Sequence, residues 1–466
     1  MKKQLSLLRK MGYGVSELGT TATEVMIRLY LLIFYIDYVG LNSRLAGYAV
    51  ALAVVWDAVT DPFMGIISDA TRTRWGKRRP YIVFGGIALA FSITVLFTVP
   101  SMSTPAGKFA YLFGCYILVN TSMTIITVPH AALGRELTFD ADERTEVYGW
   151  RLFFGNLGFL TGTVLPGLML TMFRSGSGTV AQSTSYARAS EVLAFIIVAA
   201  ALTTFFSTRG MDRKPGTRKK AQAGGVFLAL FSALKNKIFL PLFLAYFAAT
   251  IGLSINSATA IFYYRYRLEL SERNVQIILG VFIFVFCFSL VGWVLISRKF
   301  GKKMPAFWAS LSLGVLTAVA YPFIPPGKML IPLIIAVVGG ALVGAIVLLE
   351  SLVADTVDYD ELRTGRNREG IYFGFWKMSV KIARAIAIAI AGNLLHVIGY
   401  VPNEAQLPEV SMKLGMIFGP GVGFFILAGA FIFLFMPLTK RKHERIQALL
   451  QKRRAMRMER SLSQEE

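Results

Sequence analysis

The stretch Arg44–Arg79, RLAGYAVALAVVWDAVTDPFMGIISDATRTRWGKRR, changes character once along its length. Residues 44–69 are mostly apolar, whereas residues 72–79 carry Arg72, Arg74, Lys77, Arg78 and Arg79. At ~1.5 Å of rise per residue, ~20 helical residues cross ~30 Å of hydrocarbon, so the apolar part is long enough to span a bilayer. Inside lipid each backbone N–H and C=O must be satisfied within its own segment, which makes this block a helix. Lys and Arg gather in short loops on the cytoplasmic side, so the basic cluster marks that end.

Working outward, eleven further blocks of the same kind lie near 12–39, 80–100, 108–134, 147–173, 190–208, 237–264, 274–297, 304–324, 329–354, 370–399 and 414–438. The predicted fold class is an all-α integral membrane protein of twelve transmembrane helices. Basic residues recur at alternate connections: Lys2, Lys3, Arg9 and Lys10; Arg213, Lys214, Arg218, Lys219 and Lys220; Arg298, Lys299, Lys302 and Lys303; and the Lys440–Arg460 tail. The connections Val99–Lys108 and Pro322–Lys328 carry few charges. This asymmetry predicts both termini on the cytoplasmic side of a bacterial-type inner membrane. The first block follows Lys10 directly and is too long for the apolar core of a cleavable signal.

Composition agrees. Of 466 residues, 55% are hydrophobic and 16% charged, against about 45–50% and about 25% in soluble domains. The net charge of +22 sits in the topogenic clusters, which argues for lipid and against nucleic acid as a partner. Cys115 and Cys287 both lie in apolar runs, as buried thiols do, with no disulfide or metal spacing. The Lys440–Arg460 tail reads as a solubilising segment, with an amphipathic helix on anionic lipid as the alternative.

Two loops repeat at nearly one offset. Gly65-Ile-Ile-Ser-Asp69, continuing to Trp75-Gly-Lys-Arg-Arg79, returns as Gly292-Trp-Val-Leu-Ile296, continuing to Phe300-Gly-Lys-Lys303, with Gly301 standing 225 positions after Gly76. Arg144-Thr-Glu-Val-Tyr148 returns as Arg368-Glu-Gly-Ile-Tyr372, 224 positions on. A parallel repeat of six helices follows, with substrate expected near the midplane between the halves. The expected division is 1–208 and 236–439 as two six-helix bundles, 209–235 as a cytoplasmic linker, and 440–466 as the basic tail.

Ionisable residues inside spans are costly and mark function. In Val55-Trp56-Asp57-Ala58-Val59-Thr60-Asp61-Pro62 the two aspartates are i,i+4 and share a helix face. Two carboxylates that close require a proton or a cation between them. Asp57 and Asp61 are therefore expected to hold a coupling cation, Na⁺ or H⁺, with the Thr60 hydroxyl nearby; the alternative is an ion pair with a basic residue of the other half. Glu17, Glu24, Arg28, Arg151 and Glu350 are further intramembrane candidates, and Glu24 and Arg28 are placed to pair. Lys377, Lys381 and Arg384 follow i, i+4, i+7 on one face. Lys381 lies roughly 18 Å into its helix, too deep for simple snorkelling, so an anionic or polar substrate, or the aspartate pair, is its expected partner. Asp69 with Arg72, Arg74, Lys77 and Arg78, and the Asp355-Thr-Val-Asp358-Tyr-Asp360-Glu361 loop, are expected to bridge the halves at a cytoplasmic gate.

The Gly65…Asp69…Gly76-Lys-Arg-Arg79 loop resembles the signature loop of the major facilitator superfamily. Tyr35-Ile-Asp37-Tyr-Val-Gly40, Trp56-Asp-Ala-Val-Thr-Asp-Pro62, Arg74-Trp-Gly-Lys77 and Ala354-Asp-Thr-Val-Asp-Tyr359 resemble the glycoside–pentoside–hexuronide:cation symporters, the melibiose permease group. The resemblance covers essentially the whole chain. It implies that Asp57 and Asp61 bind the cation, that Arg151 contacts sugar, and that Lys381 lies near the cation site. It also brings Thr21 and Thr127 into the substrate and cation sites, at positions where the group has acidic residues; Ala131 replaces an aromatic platform. Trp376 and Lys377 complete the expected cavity lining.

The function expected is symport of a sugar, glycoside or hexuronide with Na⁺ or H⁺ by alternating access, by a monomer without a cofactor. A lysophospholipid or other amphiphile carrier of the same fold is the alternative; an apolar cavity open sideways to lipid would favour it, and polar and aromatic lining would favour sugar. The scattered His130, His396 and His443, with no phosphate-cradling glycine loop, argue against an enzyme or an ATP-driven pump.

Overall fold

The computed structural model describes residues 5–138, 140–172, 179–210, 232–365 and 368–462. Most of the expected linker, with its basic residues Arg213, Lys214, Arg218, Lys219 and Lys220, lies outside them, as do Lys2 and Lys3. Among the described residues there is no strand. Twelve helices are long and apolar enough to cross a membrane: α1 (Leu7–Tyr38), α2 (Ser43–Ala70), α3 (Arg79–Phe97), α4 (Pro105–Gly134), α5 (Glu143–Met172), α6 (Ser183–Ser207), α7 (Phe239–Arg267), α8 (Glu272–Phe300), α9 (Lys303–Phe323), α10 (Leu330–Thr364), α11 (Glu369–Val397) and α12 (Pro408–Leu434).

Packing repeats between the two sets of six. Within the first, α1 lies on α5 and α6, α4 on α2 and α3, and α3 on α6; within the second, α7 lies on α11 and α12, α10 on α8 and α9, and α9 on α12. The halves meet along α2 with α11, α5 with α8, and α1 with α7. The first two of these contacts exchange under the repeat. Both α1 and α7 end in a five-residue π-helical turn, Phe34–Tyr38 and Tyr263–Arg267, and such widened turns rotate side chains out of the ordinary register. These two turns face one another and carry much of the closure described below.

Small residues permit the closest crossing. A Cβ built on Gly392 of α11 would lie 2.5 Å from the Ser43 carbonyl oxygen, and one on Gly47 of α2 would lie 3.0 Å from the Ile388 carbonyl oxygen. Backbone therefore touches backbone where α2 passes α11, the close approach that glycine allows between membrane helices.

Two sequence expectations need correction. The Asp355–Glu361 segment is not a loop: the helix runs on to Thr364, where Gly365 turns left-handed at φ 70° and its N–H caps the Glu361 carbonyl. Polar residues beyond the bilayer lose nothing by staying helical, because solvent or neighbours satisfy their side chains. The tail, for its part, is a helix, α13 (Lys440–Leu462), docked on that extension. Ile446 and Leu450 are buried in one apolar cluster with Val353 and Val357, Gln447 donates to Asp358 at 3.0 Å and Arg453 to the Leu362 carbonyl at 3.0 Å.

Candidate functional site: an ionic cavity between the halves

Asp57 and Asp61 leave α2 one turn apart, where the helix faces α4 and α11. Lys381 of α11 places its Nζ 2.7 Å from Asp57 Oδ2 and 2.6 Å from Asp61 Oδ2. On the other side the Thr124 hydroxyl of α4 lies 2.9 Å from Asp57 Oδ1 and 2.8 Å from Asp61 Oδ1. The carboxylates are thus bridged at one edge by an ammonium and at the other by a hydroxyl. Ionised, the triad carries one net negative charge. The alternative partner expected of the pair, a basic residue from the other half, lies between the two carboxylates.

Neither sequence-chosen threonine completes this cage. Thr60 Oγ1 donates to the Asp57 backbone carbonyl at 3.1 Å, and Thr127 lines the cavity one helical turn beyond Thr124. Thr124 carries no charge and no unusual neighbour to mark it; the only signal is that it precedes Thr127 by three and so shares its face of α4.

A second cluster lies on the same pair of halves. Glu24 Oε1 accepts from Arg28 Nη2 at 2.9 Å and from Arg384 Nη2, across the interface, at 2.5 Å. Arg384 is three residues past Lys381 on α11, ~4.5 Å further along the axis. Trp376, expected in the lining, is there; its indole stacks on the Tyr246 ring with centroids 4.0 Å apart. Lys377 and Glu350 line the same space.

Arg151 is differently engaged. Its Nε and Nη2 grip both oxygens of Glu17 at 2.8 and 3.0 Å, while His130 Nε2 meets the Tyr13 carbonyl at 2.8 Å and its ring stacks on Tyr13. Thr21 does not line the cavity; its hydroxyl oxygen would lie 3.8 Å from a Cβ on Gly155 of α5. The structure thus brings Asp57, Asp61, Glu24, Arg28, Thr127, Arg151, Trp376, Lys377 and Lys381 to one cavity and leaves Thr60 and Thr21 turned toward helix neighbours.

The cavity has a volume of about 1290 Å³. It runs from Glu24 and Arg28 to Asp69, Arg78 and Glu136, the end bearing the basic run. At the opposite end the halves close on Asp37, whose side chain is fully buried. The Tyr266 hydroxyl donates to it, the Tyr400 hydroxyl donates at 2.8 Å, and Asn403 donates to its backbone carbonyl. Arg265 donates to the Tyr38 hydroxyl at 2.5 Å. All these partners come from the second half. In this conformation the cavity opens at one end only.

At the open end the ion pairs stay within halves. Buried Arg78 pairs with Asp69, donates to Ser68 at 2.6 Å, and lies 3.4 Å from Glu136. Lys302 pairs with Asp355 at 2.6 Å, and Arg368 with Asp360 at 2.5 Å. Asp358 serves α13. Arg72 and Arg74 are exposed, and Arg74 covers the Trp75 ring at 5.2 Å; Lys77 lies in the same loop. None of these pairs among the described residues bridges the halves in this state.

Comparison with known proteins gives the family. The profile of the family described as MFS/sugar transport protein matches residues 12–440. The isoprimeverose transporter of Lactiplantibacillus pentosus is 26% identical over 442 residues, covering 93% of this chain and 89% of that one. The glucuronide carrier protein homolog of Escherichia coli (strain K12) is 26% identical over 459 residues, covering 96% of each. The crystal structure of the nucleoside transporter NupG shares the fold, with a TM-score of 0.68 at 12% identity over 92% of this chain and 100% of that one. The chain is a multi-pass membrane transporter that belongs to the MFS/sugar transport protein family, among the glycoside–pentoside–hexuronide:cation symporters of the major facilitator superfamily.

Proposed function

We propose that the chain couples the downhill movement of Na⁺ or H⁺ at Asp57 and Asp61 to the uptake of a sugar, glycoside or hexuronide bound in the cavity beside them. The observation that carries this reading is the position of Lys381. Its ammonium, tethered to the second half, bridges a carboxylate pair on the first and cancels one of its two charges. A cation entering between Asp57 and Asp61 competes with Lys381 for the same oxygens and frees α11 from α2. Cation occupancy is thereby tied to the relation between halves, which coupling requires, since a ligand shifts a conformational equilibrium only by its differential affinity for the two states.

Thr124 completes the proposed cation site, with Thr127 in the lining one helical turn beyond it. Glu24, Arg28, Arg151, Trp376, Lys377 and Lys381 form the substrate side. Asp69 with Arg78, and Asp355 with Lys302, hold the rims of each half, with Arg72, Arg74, Lys77 and Asp358 as surface and tail contacts of the same gate. We place the open end, both termini and α13 in the cytoplasm, because the basic clusters lie there. The lining mixes aliphatic residues such as Ile27, Val119, Val128 and Val380 with ion pairs and with Tyr116, Tyr148, Tyr246 and Trp376; the charged and aromatic groups support a hydroxylated substrate over a lysophospholipid chain.

The test is uptake into proteoliposomes across sugars, uronides and lysophospholipids with imposed Na⁺ or H⁺ gradients. A sugar or uronide should accumulate only with one of these gradients. Asp57→Asn and Asp61→Asn should each abolish accumulation, a loss of at least about tenfold, while leaving exchange of bound substrate measurable. Full accumulation by either variant sinks the coupling role; accumulation of lysophospholipid alone replaces the substrate reading.

A further inference from the structure

The ionic groups of the cavity do not balance locally, and the imbalance has a definite sign at each place. Asp57, Asp61 and Lys381 sum to one negative charge, which a monovalent cation cancels. Glu24, Arg28 and Arg384 sum to one positive charge. Two guanidiniums converge on a single carboxylate oxygen, Glu24 Oε1, at 2.9 and 2.5 Å, and their positive excess faces the cavity. Arg28 Nε and Trp376 Nε1 are buried nitrogen donors with no hydrogen-bond partner in the protein, and both residues line the same cavity. A buried donor left unsatisfied is costly; both atoms are covered in this conformation, so a solute in the cavity meets them once the side chains around them shift.

We infer, building on the symport reading above, that the transported solute is a monoanionic sugar acid whose carboxylate is read by Arg28 and Arg384. A single excess positive charge matches one carboxylate; a phosphate near its dianionic form would leave the site negative. Guanidinium forks fit planar carboxylates by paired N–H···O bonds, and Glu24 shows one carboxylate oxygen accepting from both guanidiniums at once, through one nitrogen of each. In the loaded state the solute carboxylate takes the remaining donors of the two arginines, including Arg28 Nε, and a sugar oxygen accepts from Trp376 Nε1–H. Arg28 belongs to the first half and Arg384 to the second, so a carboxylate held by both ties the halves together from the substrate side.

The experiment is binding to the purified full-length protein by calorimetry, with matched pairs that differ only in the group at C6: methyl β-D-glucuronide against methyl β-D-glucoside, and methyl α-D-galacturonide against methyl α-D-galactoside. Glucose 6-phosphate serves as the dianion control. The expected result is that a uronide binds at least about tenfold more tightly than its neutral counterpart, the scale of one charge-assisted hydrogen bond, and more tightly than the phosphate. Arg28→Gln and Arg384→Gln should each erase most of that ratio. The inference is overturned if the neutral member of each pair binds as well as its uronide, if the phosphate binds best, or if neither uronide binds. The wild-type comparison alone decides it if a variant fails to fold. Gradient-driven accumulation of a neutral glycoside would sink this inference and leave symport standing; uronide binding and exchange without any cation dependence would do the reverse.

Discussion

Thr124 has one hydroxyl hydrogen and two carboxylate neighbours, at 2.9 and 2.8 Å. A single donor cannot fully satisfy both, so the aspartate pair is left short of donors on that edge, and a cation that binds both oxygens relieves the shortage. Thr124→Ala is expected to weaken cation binding by about tenfold or more, the scale of one hydrogen bond to a charged group, and Thr124→Ser to retain it. Titration of Na⁺- or H⁺-dependent uptake measures this; unchanged cation dependence in the alanine variant would remove Thr124 from the site. The aspartates were legible in the sequence because their i,i+4 spacing is local and charge in a membrane span is rare. Thr124 was not legible, since its partners stand 63 and 67 positions away and hydroxyls are common in membrane helices. Arg151 shows a subtler gap: its place at the cavity could be read, but its clasp on Glu17 depends on how α5 rests against α1.

At the scale of helices, the crossing of α2 and α11 governs the closed end. Both strands of the Gly47–Gly392 contact are backbone, so neither can yield to an added side chain. Gly392→Val should wedge the closed end open and slow turnover about tenfold or more while substrate still binds. In a background lacking Cys115 and Cys287, a cysteine at buried Ala391 should then react with a membrane-impermeant maleimide. Protection of that cysteine equal to the parent protein would show that the crossing absorbs the valine. Hydropathy located all twelve helices because their apolar length is a property of each segment alone. It could not locate the end of α10 or the docking of α13, because the residues there are polar and owe their helicity to water and to each other's surfaces. Asp37 could be read as part of a motif but not in its role, for a related reason: its tyrosine partners reach it only when the π-helical turns of α1 and α7 are brought face to face.

For the whole molecule, the two ionic triads have opposite sign, and the empty cavity is neutral across the pair of them. Adding one cation and one sugar monoanion leaves it neutral again. On that stoichiometry both the empty and the loaded carrier would reorient without carrying charge through the bilayer. An elementary charge moved across 100 mV is worth ~2.3 kcal/mol, and this carrier would draw on none of it. A potassium diffusion potential imposed with valinomycin should leave the initial rate of uronide uptake unchanged to within about twofold, whereas collapsing the cation gradient should abolish accumulation; strong stimulation by an interior-negative potential would mean that more than one cation moves per solute. The thermodynamic consequence is a ceiling. With one cation moving per monoanion, membrane voltage, which a cell keeps even when its ion concentrations equalise, could not fill this pool, and the ratio of solute inside to outside could rise no higher than the ratio of the coupling ion outside to inside.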